Sequence, residues 1–337
     1  MSDTAVVILN YNGRSLLQKF LPSVVEYTPQ ARIVVVDNAS TDDSLGWVAE
    51  HFPQVEQIRL DSNLGFCGGY NVALKKIKAT RYVLLNSDVE VTRNWLPPLE
   101  RILDQFPEAA AAQPKILSER QKSHFEYAGA GGGFLDTLGY PFCRGRLFYC
   151  LEEDEGQYND DREIFWSSGA CMIIRSSAFH ELGGFDEDFF AHMEEIDLCW
   201  RLQRSGHRIY YAGSSCVYHV GGGTLSASNP RKTYYNFRNG LSLLYKNLST
   251  GELLYKFPVR LVLDWVAALK FILSGTVRDG LAVLRAHSHF FSHYRSEVLR
   301  RRHSASSGYR KLQVQYRGSV VWDFFILGKR KSAEILD

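Results

Sequence analysis

The sequence predicts an α/β fold: a doubly wound, mostly parallel sheet followed by a C-terminal extension of amphipathic helices. Three observations predict it. Apolar, β-forming runs alternate with segments of helical spacing from residue 5 to about residue 116, the signature of repeated strand-helix-strand units. The runs stop abruptly in polar clusters: at residues 82–91, YVLLNSDVEV, four β-formers give way to Asn86-Ser87-Asp88. Beyond residue 229 the strand pattern disappears and the charge changes sign. Residues 1–229 carry 20 basic and 30 acidic side chains, whereas residues 230–337 carry 19 and 7.

The first buried strand spans residues 5–9 and ends in the turn Asn10-Tyr11-Asn12-Gly13. Residues 15–27 have helical spacing, with Leu16, Leu17, Phe20, Leu21 and Val24 on one side. A second strand, residues 33–36, runs into Asp37-Asn38-Ala39-Ser40-Thr41-Asp42, where Ser40 or Thr41 suits the N-cap of a helix reaching Glu50. A third strand at 55–60 and a helix at about 69–78 lead to the strand at residue 82. A helix at 94–106 tolerates Pro97 and Pro98 in its first turn, and a strand follows at 109–116. Residues 118–165 lose regularity and read as an insertion over the crevice. A strand at 170–175, a short helix at 176–182, a helix at 193–205 and short strands at 207–212 and 215–219 complete a body of residues 1–228. Residues 229–337 form the basic, aromatic helical tail. With 337 residues, 45% of them apolar, the chain fits one large domain with an appendage, or two domains.

The strand ends carry the candidate chemistry, because open α/β sheets bind ligands beyond the carboxyl ends of their strands. Asp37 can accept a hydrogen bond from a base or a ribose hydroxyl, and equally can close an Asx-turn. Tyr11 can stack on a planar base or serve the core. Asn63-Leu64-Gly65-Phe66-Cys67-Gly68-Gly69-Tyr70-Asn71 opens a helix with glycines that let backbone amides approach a phosphate or sugar; it is neither GxGxxG nor a P-loop. Asp88 with His219, beside Asn86, makes a sparse ligand set that suits Mg2+ or Mn2+ on a diphosphate, while a satisfied core histidine is the plainer alternative. Glu194, Asp197 and Arg201 share one face of a helix and Glu195 points about 100° away. Neighbouring buried carboxylates raise one another's pKa, which suits a general base.

In their order and spacing, VVILNYNG, VVVDNASTD, NLGFCGGYN, LLNSDVEV and GGFDEDFFAHMEEIDLCWRLQRSG resemble glycosyltransferase family 2, which has the GT-A fold. More narrowly they are similar to its rhamnosyltransferase-like members. The resemblance covers about the first two-thirds of the chain. It implies that Tyr11 and Asp37 hold the nucleotide, with Asn10, Asn63, Gly65, Asn71 and Asn86 around the donor. It implies that Asp88 is the metal-binding acid of a DXD-type motif and His219 a further ligand. Glu195 aligns with the base that deprotonates an acceptor hydroxyl, with Asp197 as the second candidate acid. Arg238 would help the cation stabilise a departing diphosphate. The activity implied is inverting transfer of rhamnose or a similar sugar from a nucleoside-diphosphate sugar to a saccharide or lipid-linked acceptor in cell-surface polysaccharide synthesis. A sugar-nucleotide pyrophosphorylase would need a glycine- and basic-rich loop after the first strand, which Asn10-Tyr11-Asn12-Gly13 is not; a non-catalytic sugar-nucleotide-binding protein stays open.

The acidic body argues against nucleic acid as a partner. Six scattered cysteines without metal spacing read as core residues of a reducing compartment, and residues 1–9 show no signal-peptide pattern. These point to the cytoplasm. Arg260, Asp264 and Lys270 interrupt the best apolar run, so the tail is expected to lie on an inner membrane face or to pack on protein, including a second copy, rather than to span a bilayer.

Overall fold

A computed structural model describes residues 3–221, 229–305, 312 and 314–336. The chain runs β1 (Thr4–Asn10), α1 (Arg14–Tyr27), β2 (Arg32–Asp37), α2 (Ser44–His51), β3 (Glu56–Arg59), α3 (Gly65–Lys76), β4 (Arg81–Asn86), β5 (Val89–Val91), α4 (Leu96–Gln105) and β6 (Ala109–Ser118). Short strands follow: β7 (Gly133–Leu135), β8 (Pro141–Cys143), β9 (Arg146–Leu147), β10 (Cys150–Leu151) and β11 (Arg162–Ile164). Then come β12 (Cys171–Arg175), α5 (Ser176–Glu181), a 3-10 turn (Glu187–Phe189), α6 (Glu194–Arg204) and β13 (Arg208–His219). The tail holds α7 (Pro230–Asn247), α8 (Thr250–Leu273), α9 (Val277–Ser292), α10 (Tyr294–Ala305), α11 (Val320–Phe325) and α12 (Ala333–Leu336).

The main sheet has the order β11-β13-β6-β12-β4-β1-β2-β3, with β5 on β13. Its first half, β4-β1-β2-β3, is parallel, and β12 inserts antiparallel between β4 and β6. The unbroken apolar character of β1 follows from burial on both faces. Val6 and Ile8 join Leu17, Leu21 and Leu99 on one side, while Ala5 and Val7 join Tyr70, Leu74 and Tyr82 on the other. Parallel pairing places Asn10 opposite Asp37 and Leu9 opposite Asn86, so the polar ends of three strands share one rim.

Three details differ from the sequence expectation. The insertion at 118–165 is not irregular: it carries a four-stranded sheet, β10-β9-β8-β7, and β11. Its strands are two or three residues long, too short for a periodicity to register. The glycine run at 129–133 serves close packing, since a Cβ on Gly133 would fall 2.2 Å from the Trp166 ring. Ser40 and Thr41 do not cap α2, which begins at Ser44 after Asp43; Ser40 Oγ instead accepts from the Asn12 amide at 2.8 Å. The two strands expected at 207–219 are one, β13, irregular between Ala212 and Cys216. The boundary expected near Ser228 lies outside the described residues.

Candidate active site

Asn10 is fully buried at the end of β1, and its Nδ2 reaches Asp37 Oδ1 and Ser40 Oγ, each at 3.4 Å. Its Oδ1 is buried with no partner. Asp37 Oδ2 accepts the Ser40 amide at 3.0 Å, closing the Asx-turn while the carboxylate stays on the rim. Tyr11, one residue on, is 50% exposed, an orientation open to a planar ligand and not one that serves the core.

The glycine-rich segment is stitched to this rim by a residue the sequence reading did not single out. Asn38 Nδ2 donates to Asn63 Oδ1 and to Gly65 O, both at 3.0 Å, and its Oδ1 accepts from Leu64 N at 2.9 Å. Gly65 has φ +67°, and a Cβ on Gly69 would lie 2.9 Å from Leu9; glycine is required at one for conformation and at the other for space. Asn71 faces elsewhere. It accepts from Phe185 N and donates to Phe185 O, both at 2.9 Å, and donates to Glu187 Oε1 at 3.0 Å. These bonds make Asn71, expected beside the donor, a brace between α3 and the loop before α6.

Asp88 occupies the turn from β4 to β5, and its carbonyl accepts the Val220 amide at 3.1 Å, which holds the end of β13 beside it. His219 Nε2 lies 3.2 Å from Asp88 Oδ1, and Nδ1 lies 3.4 Å from Glu126 Oε2. Asn86 Nδ2 is 3.5 Å from the same imidazole. Burial works against a charged His219, but Asp88 and Glu126 outweigh it and push the imidazole up to about 10. The site fits a cation in one specific sense. An imidazole protonated at both nitrogens offers no lone pair, so a cation would have to displace the Nε2 proton; the Nε2 and Asp88 Oδ1 atoms, 3.2 Å apart, would then face it together. Glu126 stands on the far edge of the ring, and among the described residues no three His, Cys, Asp or Glu side chains converge as a full metal cage. Glu126 was missed in the sequence. Its only signal there is an acid between the aromatics of His124-Phe125-Glu126-Tyr127.

The two acids of α6 have opposite surroundings. Asp197 is wholly buried, its Oδ2 accepting from Arg201 Nε at 2.7 Å and Lys246 Nζ at 2.9 Å, its Oδ1 from Asn247 at 2.9 Å. Burial opposes its charge, but Lys246 and Arg201 hold it far below the usual carboxylate range. Asp197 is therefore not a free base, and its place as a second catalytic acid is corrected: it is the anchor joining α6 to α7. Lys246 and Asn247 lie some 50 residues away in sequence, beyond any local pattern. Glu194 and Glu195 each keep Oε2 buried without a partner. Burial raises both, Glu194 well above the usual range with the adjacent Glu195 adding to it, and Glu195 to about 7. The approach to them is strained, with Phe190, His192 and Met193 at φ +61°, +67° and +75°.

Asn239 Nδ2 pins that approach by donating to the carbonyls of Phe189, Ala191 and His192 at 2.7–2.9 Å. Arg238 helps, donating to Asp188 O and Phe189 O, both at 2.9 Å. Its Nε also donates to Asn239 Oδ1 at 2.7 Å, which sets the guanidinium against the loop before α6.

Residues 5–183 match the family model for Glycosyl transferase family 2. The chain is 28% identical over 237 residues to the N-acetylglucosaminyl-diphospho-decaprenol L-rhamnosyltransferase of Mycobacterium tuberculosis, covering 64% of this chain and 75% of that one. Among solved structures it resembles TarS 1-349 of S. aureus in complex with UDP-GlcNAc, at TM-score 0.56 and 14% identity, covering 90% of this chain and 89% of that one. The mannosyltransferase PcManGT of Pyrobaculum calidifontis, in complex with GDP-Man and Mn2+, aligns at TM-score 0.53 and 14% identity over 91% and 88% of the two chains.

Proposed function

The chain belongs to glycosyl transferase family 2, and from that premise we propose that it is an inverting, rhamnosyltransferase-like enzyme. It moves rhamnose or a similar sugar from a nucleoside-diphosphate sugar to a hydroxyl of a saccharide or lipid-linked acceptor in cell-surface polysaccharide synthesis. The observation that carries the reading is the Glu195 carboxyl, buried with Oε2 unpartnered and raised to about 7. A base near neutrality, lacking only a proton donor, suits an incoming hydroxyl.

Asp37 and Asn10 orient the nucleoside, and Tyr11 stacks on the base. Asn86 and the Asn63–Gly65 backbone contact the ribose and phosphates. Asp88 and His219 are the residues that would hold a divalent cation, Mg2+ or Mn2+, with Glu126 fixing the imidazole. A cation bound there supplies positive charge to the diphosphate oxygens. Glu195 accepts the acceptor proton as the acceptor oxygen forms its bond to the anomeric carbon from the face opposite the diphosphate. The anomeric carbon–phosphate oxygen bond breaks, and the nucleoside diphosphate leaves with the electron pair. Support for a lipid-linked acceptor comes from the decaprenol-linked substrate in the name of the mycobacterial relative. That reading sets the enzyme at the inner face of a membrane.

The test is a panel of nucleotide-sugars offered with a polyprenyl-diphosphate-linked hexosamine, with products read by mass. One sugar added by the wild type and none by Glu195→Gln is expected. Donor binding with neither transfer nor slow donor hydrolysis would make the protein a non-catalytic binder.

A further inference from the structure

Helix α8 is inside out. The side chains it buries in line, at spacings of four, are Lys256, Arg260, Asp264 and Ala268. The charges are answered within the fold. Lys256 Nζ pairs with Glu252 at 2.7 Å, and Arg260 Nε with Asp264 at 2.8 Å. Asp264 also accepts the Tyr140 hydroxyl at 2.9 Å and lies 3.3 Å from His287 Nε2. The Arg260 guanidinium covers the Tyr140 ring at 3.8 Å and donates to Leu138 O and Gly139 O, each at 3.2 Å. This polar stripe docks the helix together with Leu253, Phe257 and Leu261, which pack against Tyr245 and Phe290, and the other apolar side chains face outward. Leu254, Val262, Trp265, Val266, Leu269 and Leu273 are between 52% and 78% exposed.

A second apolar segment continues the surface. Lys270 Nζ sits 4.0 Å over the Phe325 ring, which brings exposed Phe325, Ile326 and Leu327 beside the C-terminal end of α8. The charge on this surface is mainly basic. Between residues 253 and 278 the only acid is the buried Asp264, while Lys270 and Arg278 are exposed; at its edges the half-buried Asp279 accepts the Thr233 hydroxyl and the exposed Glu334 accepts the Arg330 and Lys331 backbone amides. Arg330 and Lys331, also exposed, follow the second segment.

We infer that the outer face of α8, joined through Lys270 to Phe325–Leu327, is a docking surface for an anionic lipid bilayer, with the helix lying in the plane of the headgroups. Aromatic and aliphatic side chains flanked by cations are what such a position requires, because the cations are drawn to the anionic headgroups while the apolar side chains enter the acyl boundary. None of the described helices is long and apolar enough to cross a membrane. A two-fold dimer through this face would set Lys270 and Arg278 against their own copies. Two further arginines of the tail are engaged within the fold: Arg300 pairs with Asp188 and Glu297, and Arg301 donates to Leu248 O at 2.7 Å.

The test is flotation of the full chain with vesicles of phosphatidylcholine alone and of phosphatidylcholine mixed with phosphatidylglycerol. Light scattering and circular dichroism on the same samples report oligomeric state and folding. The wild type is expected to float with the mixed vesicles. Trp265→Glu with Leu269→Glu should weaken recovery by at least about tenfold, with circular dichroism checking that the fold survives loss of the hydrogen bond from Trp265 Nε1 to His287 Nδ1, 3.1 Å. Lys270→Glu with Arg278→Glu should abolish the preference for phosphatidylglycerol. Equal recovery of wild type and the Trp265/Leu269 variant, or no recovery of the wild type, overturns the proposal. So does a wild-type dimer that ignores vesicles and becomes a monomer in that variant, which would make the face a subunit interface. Flotation needs no sugar transfer, so its outcome is independent of the assigned activity.

Discussion

Glu195 and Asp197 stand two positions apart on one helix, yet only one is free to act. Asp197 is closed by two cations and an amide, whereas Glu195 has a buried oxygen with nothing to bind. We expect Glu195→Gln to keep donor affinity and lose on the order of 10²–10⁴-fold in turnover. A wild-type kcat/KM that fails to rise with pH through about 7 would remove Glu195 as the base. The same substitution has a stability signature. Burial raises this carboxyl in the folded state, so unfolding is favoured increasingly as pH rises from the unfolded value, near 4.5, to about 7. Glu195→Gln should therefore melt higher than wild type at pH 8, with the gap closing toward pH 4.5. At the other end of the site, Asp88→Ala should abolish the gain in nucleoside-diphosphate affinity that Mn2+ confers, read by calorimetry. Glu126→Gln should lower Mn2+ affinity by roughly 10–100-fold, as loss of a carboxylate behind a liganding histidine does. Asp88, His219 and Glu195 were legible as residues because their strand and helix ends are local patterns. Glu126 and Asn38 were not, because what they do depends on partners that only the fold brings near.

At the scale of elements, the N-terminus of α6 is aimed by α7. Lys246 Nζ bridges Asp197 and Asp186, at 2.9 and 2.6 Å, from one side, and Asn239 holds the carbonyls of Phe189, Ala191 and His192. Removing this buried cation breaks the ion pair of Asp186 and leaves the buried Asp197 with Arg201 alone as its cation. Lys246→Met is expected to destabilise the protein by about 3–5 kcal/mol and to depress turnover, because α6 carries Glu195. Adding Asp197→Asn should restore part of that loss, a coupling that chemical denaturation of the four variants measures. Equal, additive losses would mean that Lys246 acts elsewhere. Strands and helices of the first half could be read from periodicity, since β1, β2 and β4 are buried on both faces. The strands of the insertion could not, at two or three residues each. For α8 the periodicity was visible but its direction was not: an apolar stripe is ordinarily the buried one, and only the pairing of Arg260 with Asp264 and Tyr140 reveals the inversion.

For the whole molecule, the acidic body and the basic tail suggest two separable units, and the packing argues otherwise. After the helices of the tail the chain returns to the body. Val320 and Phe324 are buried in the main core, Phe324 lying 4.8 Å from the Phe148 ring, and the Val320 amide donates to Asp136 Oδ2 at 3.0 Å. Ser332 Oγ accepts from the Gly145 amide at 3.0 Å and donates to Glu152 Oε1 at 3.0 Å. Each of these partners belongs to the insertion at 118–165, so residues 320–332 pack on a part of the fold laid down in the first half of the chain. We propose that body and tail unfold together. Phe324→Ala removes a fully buried ring, which costs about 3–5 kcal/mol. If the unit is cooperative, calorimetry gives one transition and the substitution moves all of it down by several degrees. Two transitions, of which only the smaller responds to Phe324→Ala, would restore the division into a catalytic body and an independent tail. A single transition carries a consequence for the site: the insertion, the cluster of Glu126 with His219 and the C-terminal residues share one stability, so truncating the tail would be read as lost sugar transfer even though α11 and α12 supply none of the candidate site residues.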